Sequence, residues 1–367
     1  MSKSLCRWGI LGAAVIARKN WQAVKYSGNG VVTAVASRSK DRAEQFITEC
    51  QSFVPFAQRP EACGSYEELL ARKDIDAVYI PLPTGVRKEW VLRAAEAGKH
   101  VLVEKPVGCR AADVVEMIDA CKRNRVQFMD GVMFMHSGRL DKLRSVLDDG
   151  QSIGELRRIS TLFSFAAPDE FHQSNIRAHS QLEPLGCLGD LGWYTIRFTL
   201  WTTKYQMPKR VSARLLSASG RPDSPDSVPM EFSAELDFAN GVSANFYCSF
   251  RTENQQFATI SGSKGFVHVR DFVLPFYGSD AGFDVTNALF HVRGSDFNML
   301  DRTRRVSAHE YSNSYDDAQE MRLFRRFGEL VLGGVPDDHW PDIALQTQQV
   351  MDACLASARQ DGAWTSP

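Results

Sequence analysis

The sequence predicts an α/β protein, with an amino-terminal doubly wound parallel sheet followed by an α+β domain built on a large, mainly antiparallel open sheet. Three observations carry that expectation. In residues 1–131, short runs of Val, Ile, Leu and Ala alternate with stretches of helical periodicity, and a strand apolar on both faces fits a parallel sheet covered by helices on each side. Beyond residue 150 the strands alternate apolar and polar positions, and turn signals such as Asn240-Gly241 and Ser263-Lys264-Gly265 separate them, as in antiparallel hairpins. The chain has 367 residues, more than one hydrophobic core usually serves.

Residues 7–11 read as the first strand, and Gly12, Ala13, Ala14 and Val15 lead into a helix that runs through residue 24. A turn of this kind offers backbone N–H groups and a helix amino end to a pyrophosphate. Gly12 and Ala17 hold the first and third positions of the dinucleotide fingerprint, but Ala14 replaces its second glycine, so the motif alone is a weak signal. The second strand, residues 31–36, ends at Ser37-Arg38-Ser39, where an NAD-selective site would place an acid for the ribose hydroxyls. A guanidinium pairs instead with a 2′-phosphate, and two hydroxyls add donors. NADP(H) is therefore expected over NAD, against the plain alternative of a solvated basic turn.

Helix 66–71, strand 77–80, the stop at Pro81-Leu82-Pro83 and helix 88–98 continue the alternation. Strand 101–103 then runs straight into Glu104-Lys105-Pro106, ahead of helix 111–124 and strand 126–129. A lysine at the carboxyl end of a buried parallel strand lies where open α/β sheets bind ligands, and Pro106 blocks continuation of the ladder. An isolated Glu-Lys-Pro reads equally as a solvated strand end; its context points to a crevice shared by Gly12, Arg38, residues 81–83 and Lys105.

The second segment opens with helix 139–147 and strand 158–165, followed by strands at 211–218, 230–237, 242–250, 257–261 and 265–269. A helix at 188–200 carries Asp190 and Tyr194, which at a spacing of four share one face. The chain closes with helices 318–332 and 345–359 and a turn at His339-Trp340-Pro341. Residues 269–312, rich in Gly, Phe and Asp, show no clear period and read as a long excursion over the sheet edge or the site.

With 43 basic and 44 acidic residues the net charge is −1, which excludes a nucleic acid or a membrane surface as the main partner. Residues 1–8 hold no apolar run of signal-peptide length, and no run approaches the roughly 18–20 residues that span a bilayer. The eight cysteines are scattered without a Cys-x-x-Cys pair, so reduced thiols in a cytoplasmic protein are expected. His136 and His179 lack acids or thiols at metal spacing, and no metal site is expected.

Residues 12–17, Ser37-Arg38-Ser39, residues 81–90, Glu104-Lys105-Pro106 and the run from Gly186 to Tyr194 stand in an order that resembles the Gfo/Idh/MocA family, named after glucose–fructose oxidoreductase and inositol dehydrogenase. The likeness spans nearly the whole chain, with particular similarity to plant members and to dimeric dihydrodiol dehydrogenases. It implies a Rossmann domain over 1–131, a substrate-binding and dimerisation domain over 132–340, and a final helix, 341–367, that returns to the first domain. It also implies hydride transfer between NADP(H) and the carbonyl or hydroxyl of a sugar, polyol or vicinal diol.

In the site so implied, Gly12, Ala13, Ala14, Val15, Ser37, Arg38, Ser39, Pro81, Leu82, Pro83, Arg87, Glu104 and Lys105 face the cofactor. Arg87 stands where the family usually has histidine and can reach a phosphate. Tyr194, in the place of a histidine of inositol dehydrogenases, donates the proton while Lys105 activates it, the reverse order remaining open. Asp190 contacts a substrate hydroxyl and helps orient Lys105, with Asn175 and Arg177 as further substrate contacts. Tyrosine's free pKa near 10 is high for acid–base work at neutral pH, and a neighbouring cation lowers it. The family further implies a homodimer through the carboxyl-terminal sheet. Two other readings compete: a silent NADP-binding regulator or scaffold, and an elimination or hydrolysis in which bound nicotinamide is oxidised only transiently.

Overall fold

A computed structural model describes residues 4–367, which divide into two compact units. The first contains strands β1 (Cys6–Leu11), β2 (Gly30–Ala36), β3 (Glu61–Cys63), β4 (Ala77–Ile80), β5 (His100–Val103) and β6 (Phe128–Asp130). Between them run helices α1 (Val15–Tyr26), α2 (Lys40–Phe53), α3 (Tyr66–Leu70), α4 (Thr84–Glu96) and α5 (Ala111–Arg123). All strand pairs are parallel, in the order β3-β2-β1-β4-β5-β6. The order reverses between β1 and β4, and a crevice for ligands opens at such a switch, beyond the carboxyl ends of the strands. β4 is buried at every position and β5 at its last three; the apolar run that predicted them is what a sheet covered on both faces requires.

The second unit begins with α6 (Gly138–Asp148), β7 (Leu156–Ser164), the short helix α7 (Asp169–Ser174) and helix α8 (Trp193–Thr202). β8 (Arg210–Ser219), β9 (Val228–Asp237), β10 (Ser243–Ser249), β11 (Gln255–Gly262), β12 (Phe266–Val269) and β13 (Asp280–Thr286) follow. After them come β14 (Leu289–Arg293), β15 (Asp296–Leu300) and β16 (Thr303–His309). Eight of these strands form one sheet in the order β16-β13-β12-β11-β7-β10-β9-β8. Every pair in it is antiparallel except β7 with β10. The period-two pattern of β9 buries Phe232, Ala234 and Leu236 and turns the intervening positions outward. α8 is buried almost throughout and packs on β7 and β10.

Two helices complete the chain, α9 (Gln319–Gly333) and α10 (His339–Ala358). Here the fold departs from the expected boundaries. Residues 313–348 already belong to the first unit, while 349–367 belong to the second. α9 joins the parallel sheet because the Trp8 ring packs on Phe324 and Phe327, each at 5.1 Å, and because Asn29 Nδ2 donates to the Arg325 carbonyl at 2.8 Å. The tail returns to the antiparallel sheet, where Val211 and Thr365 exchange backbone hydrogen bonds of 2.7 and 2.9 Å.

His339, Trp340 and Pro341 are not a turn; they start α10, whose first turn accommodates a proline because those N–H groups have no intrahelical acceptor. Residues 269–312 hold four strands in place of a loose excursion. No described helix is long and apolar enough to cross a membrane.

Candidate active site

In the first unit, Gly12 ends β1 with its N–H on the Ala36 carbonyl at 2.9 Å and φ of +122°. A Cβ there would stand 3.1 Å from Leu82 and 3.9 Å from the Tyr66 hydroxyl. The backbone angle demands glycine, a Cβ would also crowd Leu82, and the same contacts bring the residues of the Pro81-Leu82-Pro83 loop to the β1 turn. Ala13 follows, partly exposed. Ala14, standing where the fingerprint has glycine, has φ −86° and ψ 155°, ordinary extended backbone that carries a methyl without strain.

α1 then starts with no side-chain cap and no acid in its first turn, and Val15 is 83% exposed. Its amino-terminal N–H groups and dipole are left open to an anion. The amino end of α4 is closed by contrast, because the Glu183 carboxylate accepts from Thr84 N at 3.1 Å and Thr84 Oγ1 at 2.6 Å. Gly85 N donates to the Leu182 carbonyl at 2.9 Å. A Cβ at Gly85 would lie 1.9 Å from the Gln181 carbonyl, so only glycine lets residues 179–184 dock on α4.

At the end of β2, Ser37 is buried, while Arg38 and Ser39 are exposed. Ser39 caps α2, accepting from Arg42 N at 3.2 Å. Ser37-Arg38-Ser39, directly after β2, holds no acid, and the first turn of α2 adds Asp41 and Arg42. Tyr66 was not foreseen. Its ring meets Trp90 edge-on at 4.7 Å. Burial raises its phenol's pKa above the usual value, while Arg38 and Arg42 pull it back. An aromatic at the start of the helix after β3 was the only available signal.

Beyond β5, the Glu104 carboxylate accepts from the Tyr79 hydroxyl at 2.6 Å and from Lys105 N at 3.3 Å. Asn20 of α1 donates to the Tyr79 hydroxyl at 2.6 Å. It also reaches Glu104 at 3.4 Å, which links α1 to the end of β5. Burial, and then the Glu104 charge, push the Tyr79 phenol well above its ordinary range, so it stays a proton donor to the carboxylate. Lys105 is partly exposed, and the peptide to Pro106 is cis.

Arg87 corrects the expectation of a phosphate contact. It is 3% exposed, and its guanidinium donates to the Leu82 carbonyl at 3.0 and 2.5 Å and to the Pro106 carbonyl. It fastens the loop after β4 to the residue following Lys105.

In the second unit, Asp190 lies on a π-helical turn, Leu188–Gly192, that runs into α8; the sequence had suggested one regular helix. π turns are rare and concentrate at functional sites. Arg177 Nε and Asp190 Oδ2 form an ion pair of 2.7 Å, and Asn175 Oδ1 accepts from Arg177 N at 3.0 Å. Asn175, Arg177 and Asp190 are therefore one cluster. Tyr194 is buried, its ring against Phe163 at 5.7 Å. Among the described residues, no group of three or more His, Cys, Asp or Glu is placed to hold a metal ion.

A parallel sheet with this switch point, an open helix amino end beside Gly12 and a lysine just past β5 define a nicotinamide-dinucleotide type of oxidoreductase fold. The family models agree. Residues 6–132 match the oxidoreductase family with an NAD-binding Rossmann fold, and residues 140–268 match the GFO/IDH/MocA carboxyl-terminal domain. The chain belongs to the Gfo/Idh/MocA family.

Among relatives, the dTDP-3,4-didehydro-2,6-dideoxy-alpha-D-glucose 3-reductase of Saccharopolyspora spinosa is 38% identical over 52% of this chain and 54% of its own length. The trans-1,2-dihydrobenzene-1,2-diol dehydrogenase of Mus musculus is 33% identical over 73% of this chain and 76% of its own. The match thus spans about half the length of the sugar reductase and about three quarters of the diol dehydrogenase. Among solved structures, the 3-ketoreductase KijD10 from Actinomadura kijaniata, in complex with NADP and TDP-benzene, superposes with a TM-score of 0.77 at 26% identity. That superposition covers 96% of this chain and 98% of KijD10.

Proposed function

We propose that this chain is a cytoplasmic NADP(H)-dependent oxidoreductase. It transfers a hydride between the nicotinamide and a carbonyl or hydroxyl of a sugar, polyol or vicinal diol, with Tyr194 and Lys105 handling the proton. The observation that carries this reading is the joined wall of the first unit. There the open amino end of α1 is tied through Asn20, Tyr79 and Glu104 to the strand end that bears Lys105. The residues fit the dinucleotide: Gly12 leaves room for a close approach, Ala13 to Val15 offer backbone N–H groups, and Arg38 meets a 2′-phosphate where an acid would repel it.

Bound there, the nicotinamide supplies the hydride donor or acceptor at C4. Lys105 stabilises the negative charge that grows on the carbonyl oxygen during reduction. The Tyr194 hydroxyl gives that oxygen its proton and takes it back in the oxidative direction. Asp190, its carboxylate fixed by Arg177, holds a neighbouring substrate hydroxyl and so orients the reacting carbon. Sugar and diol substrates are favoured by the names of the relatives and by this carboxylate–guanidinium pair, which offers both an acceptor and donors. A homodimer through the outward face of the eight-stranded sheet belongs to the same reading.

The test is a panel of sugars, diols and aromatic carbonyls followed at the NADPH absorbance band, with wild type and Lys105→Ala side by side. Turnover on at least one class, lost by 10³-fold or more in Lys105→Ala with NADPH affinity retained, is expected. Equal turnover in both proteins contradicts the lysine's role. Substrate conversion without net NADPH change points to transient oxidation within an elimination.

A further inference from the structure

In the second unit, a cleft of about 220 Å³ opens where β12, β13 and β16 meet the loop of residues 271–279. Its floor is a row of side chains across the three strands: His268 of β12 lies opposite Asp284 of β13, and Asp284 lies opposite Arg305 of β16. Directly opposed positions share one face of a sheet. Gly282, two residues before Asp284, belongs to the same face and keeps the floor low. A Cβ there would stand 2.8 Å from Arg305 Nη2 and 2.9 Å from its Cζ. The guanidinium thus lies over β13, with Nη1 3.4 Å from Asp284 Oδ1 and Nε 3.6 Å from Asp280 Oδ2. Pairs this long leave hydrogen-bonding capacity on all three groups.

The wall carries aromatic rings on a fastened loop. Phe276 and Tyr277 are 57 and 92% exposed, yet the backbone that bears them is held at three points. Asp271 Oδ2 accepts from Phe276 N at 2.7 Å, while its Oδ1 accepts from Arg139 Nη1 at 2.6 Å. The Gln256 side chain clasps Leu274, accepting from its N and donating to its carbonyl, both at 2.7 Å. Ser312 N donates to the Gly278 carbonyl at 2.8 Å. Rings so exposed add little to the core, and aromatic surface rimmed by convergent polar groups marks a ligand groove.

Charge and size select the ligand. Asp271 is taken by Arg139, so Arg270 and Arg305 stand against Asp280 and Asp284, two charges of each sign. His268 adds none at neutral pH: burial lowers its pKa, with Asp284 opposing and Arg270 assisting. Its Nδ1 meets Thr259 Oγ1 at 3.0 Å. A balanced set gives no net field for an anion or a cation. It suits hydroxyl groups, each of which accepts from a guanidinium and donates to a carboxylate. The volume falls below the roughly 300–1,000 Å³ of sites for drug-sized ligands, which leaves room for one ring. We propose that this cleft binds a neutral monosaccharide or cyclic polyol, its C–H face on Phe276 and Tyr277 and its adjacent hydroxyls bridging Arg305 to Asp280 and Asp284. No residue of the cleft belongs to the candidate active site, so the inference stands apart from the proposed hydride transfer and is tested without turnover.

Saturation-transfer difference NMR on the full chain, titrated with D-glucose, D-xylose, myo-inositol and D-glucose 6-phosphate, is the test. A ligand of one ring implies a Kd of roughly millimolar order. At least one neutral ring should bind, and should still bind in Asp190→Ala (or Asp190→Asn, should the first fail to fold). In that background, where sugar held at the active site cannot mask the cleft, Tyr277→Ala should weaken binding at least 5-fold and Asp284→Asn/Arg305→Gln at least 10-fold. Tm and NADPH affinity should not change, since these side chains are at least partly exposed. No neutral ring bound up to about 50 mM, or affinity kept in both cleft variants, overturns the proposal. Loss of all binding in the Asp190 variant places the sugar in the active site alone and overturns it equally. D-glucose 6-phosphate bound 10-fold tighter than every neutral ring, through Arg305, makes the cleft an anion site and overturns the neutral class.

Discussion

Arg38 and Arg87 look alike in sequence, each a basic residue beside a turn at the carboxyl edge of the parallel sheet, yet they are placed for opposite work. Arg38 is exposed just past β2, with Asp41 and Arg42 in the first turn of the next helix; Arg87 is buried and committed to two carbonyls. Arg38→Asp should weaken NADPH binding by 10- to 100-fold, the value of one charge-assisted contact, while NADH binding holds or improves. Fluorescence titration with both nucleotides measures it, and equal losses for the two would place the 2′-phosphate elsewhere. The register after two strands made the place of Arg38 past β2 legible. For Arg87 nothing local separated a phosphate ligand from a buried staple, because burial there depends on Pro106, far along the chain. The Arg177–Asp190 pair escaped for the same reason: each residue was singled out, but their meeting depends on a 3-10 turn and a π turn, which apolar periodicity does not report.

Among the elements, α4 shows how the site edge is fixed. Glu183 closes its amino end, and Arg87 from its first turn ties the loop after β4 to the residue following Lys105. Arg87→Leu removes the donors to the Leu82 and Pro106 carbonyls. It should cost about 2–4 kcal/mol in urea unfolding and lower kcat by allowing the strand end that bears Lys105 to move. Unchanged stability together with unchanged kcat would contradict a fastening role. The parallel strands were readable because burial on both faces writes continuous apolar runs. β14 to β16 were not: β14 and β15 are exposed on both sides and β16 at most positions, so no single buried face imposes its period on the sequence.

For the whole molecule, length and the change from continuous to alternating strands announced two bodies, but not where the chain passes between them. The amphipathic pattern of α9 shows that one face is buried without saying against what, and the partner proves to be Trp8 of the first strand. The last residues, expected to return to the dinucleotide unit, instead pair with β8. The central claim is the proposed passage of a hydride from cofactor to substrate carbon, and label transfer tests it most directly. With NADPH deuterated at either face of C4 and a carbonyl substrate found in the panel, mass spectrometry of the product should show one deuterium on the new carbinol carbon from one labelled face only. Deuterium retained in the cofactor from both faces, or product formed without label from either, would contradict hydride transfer as the chemistry of this chain.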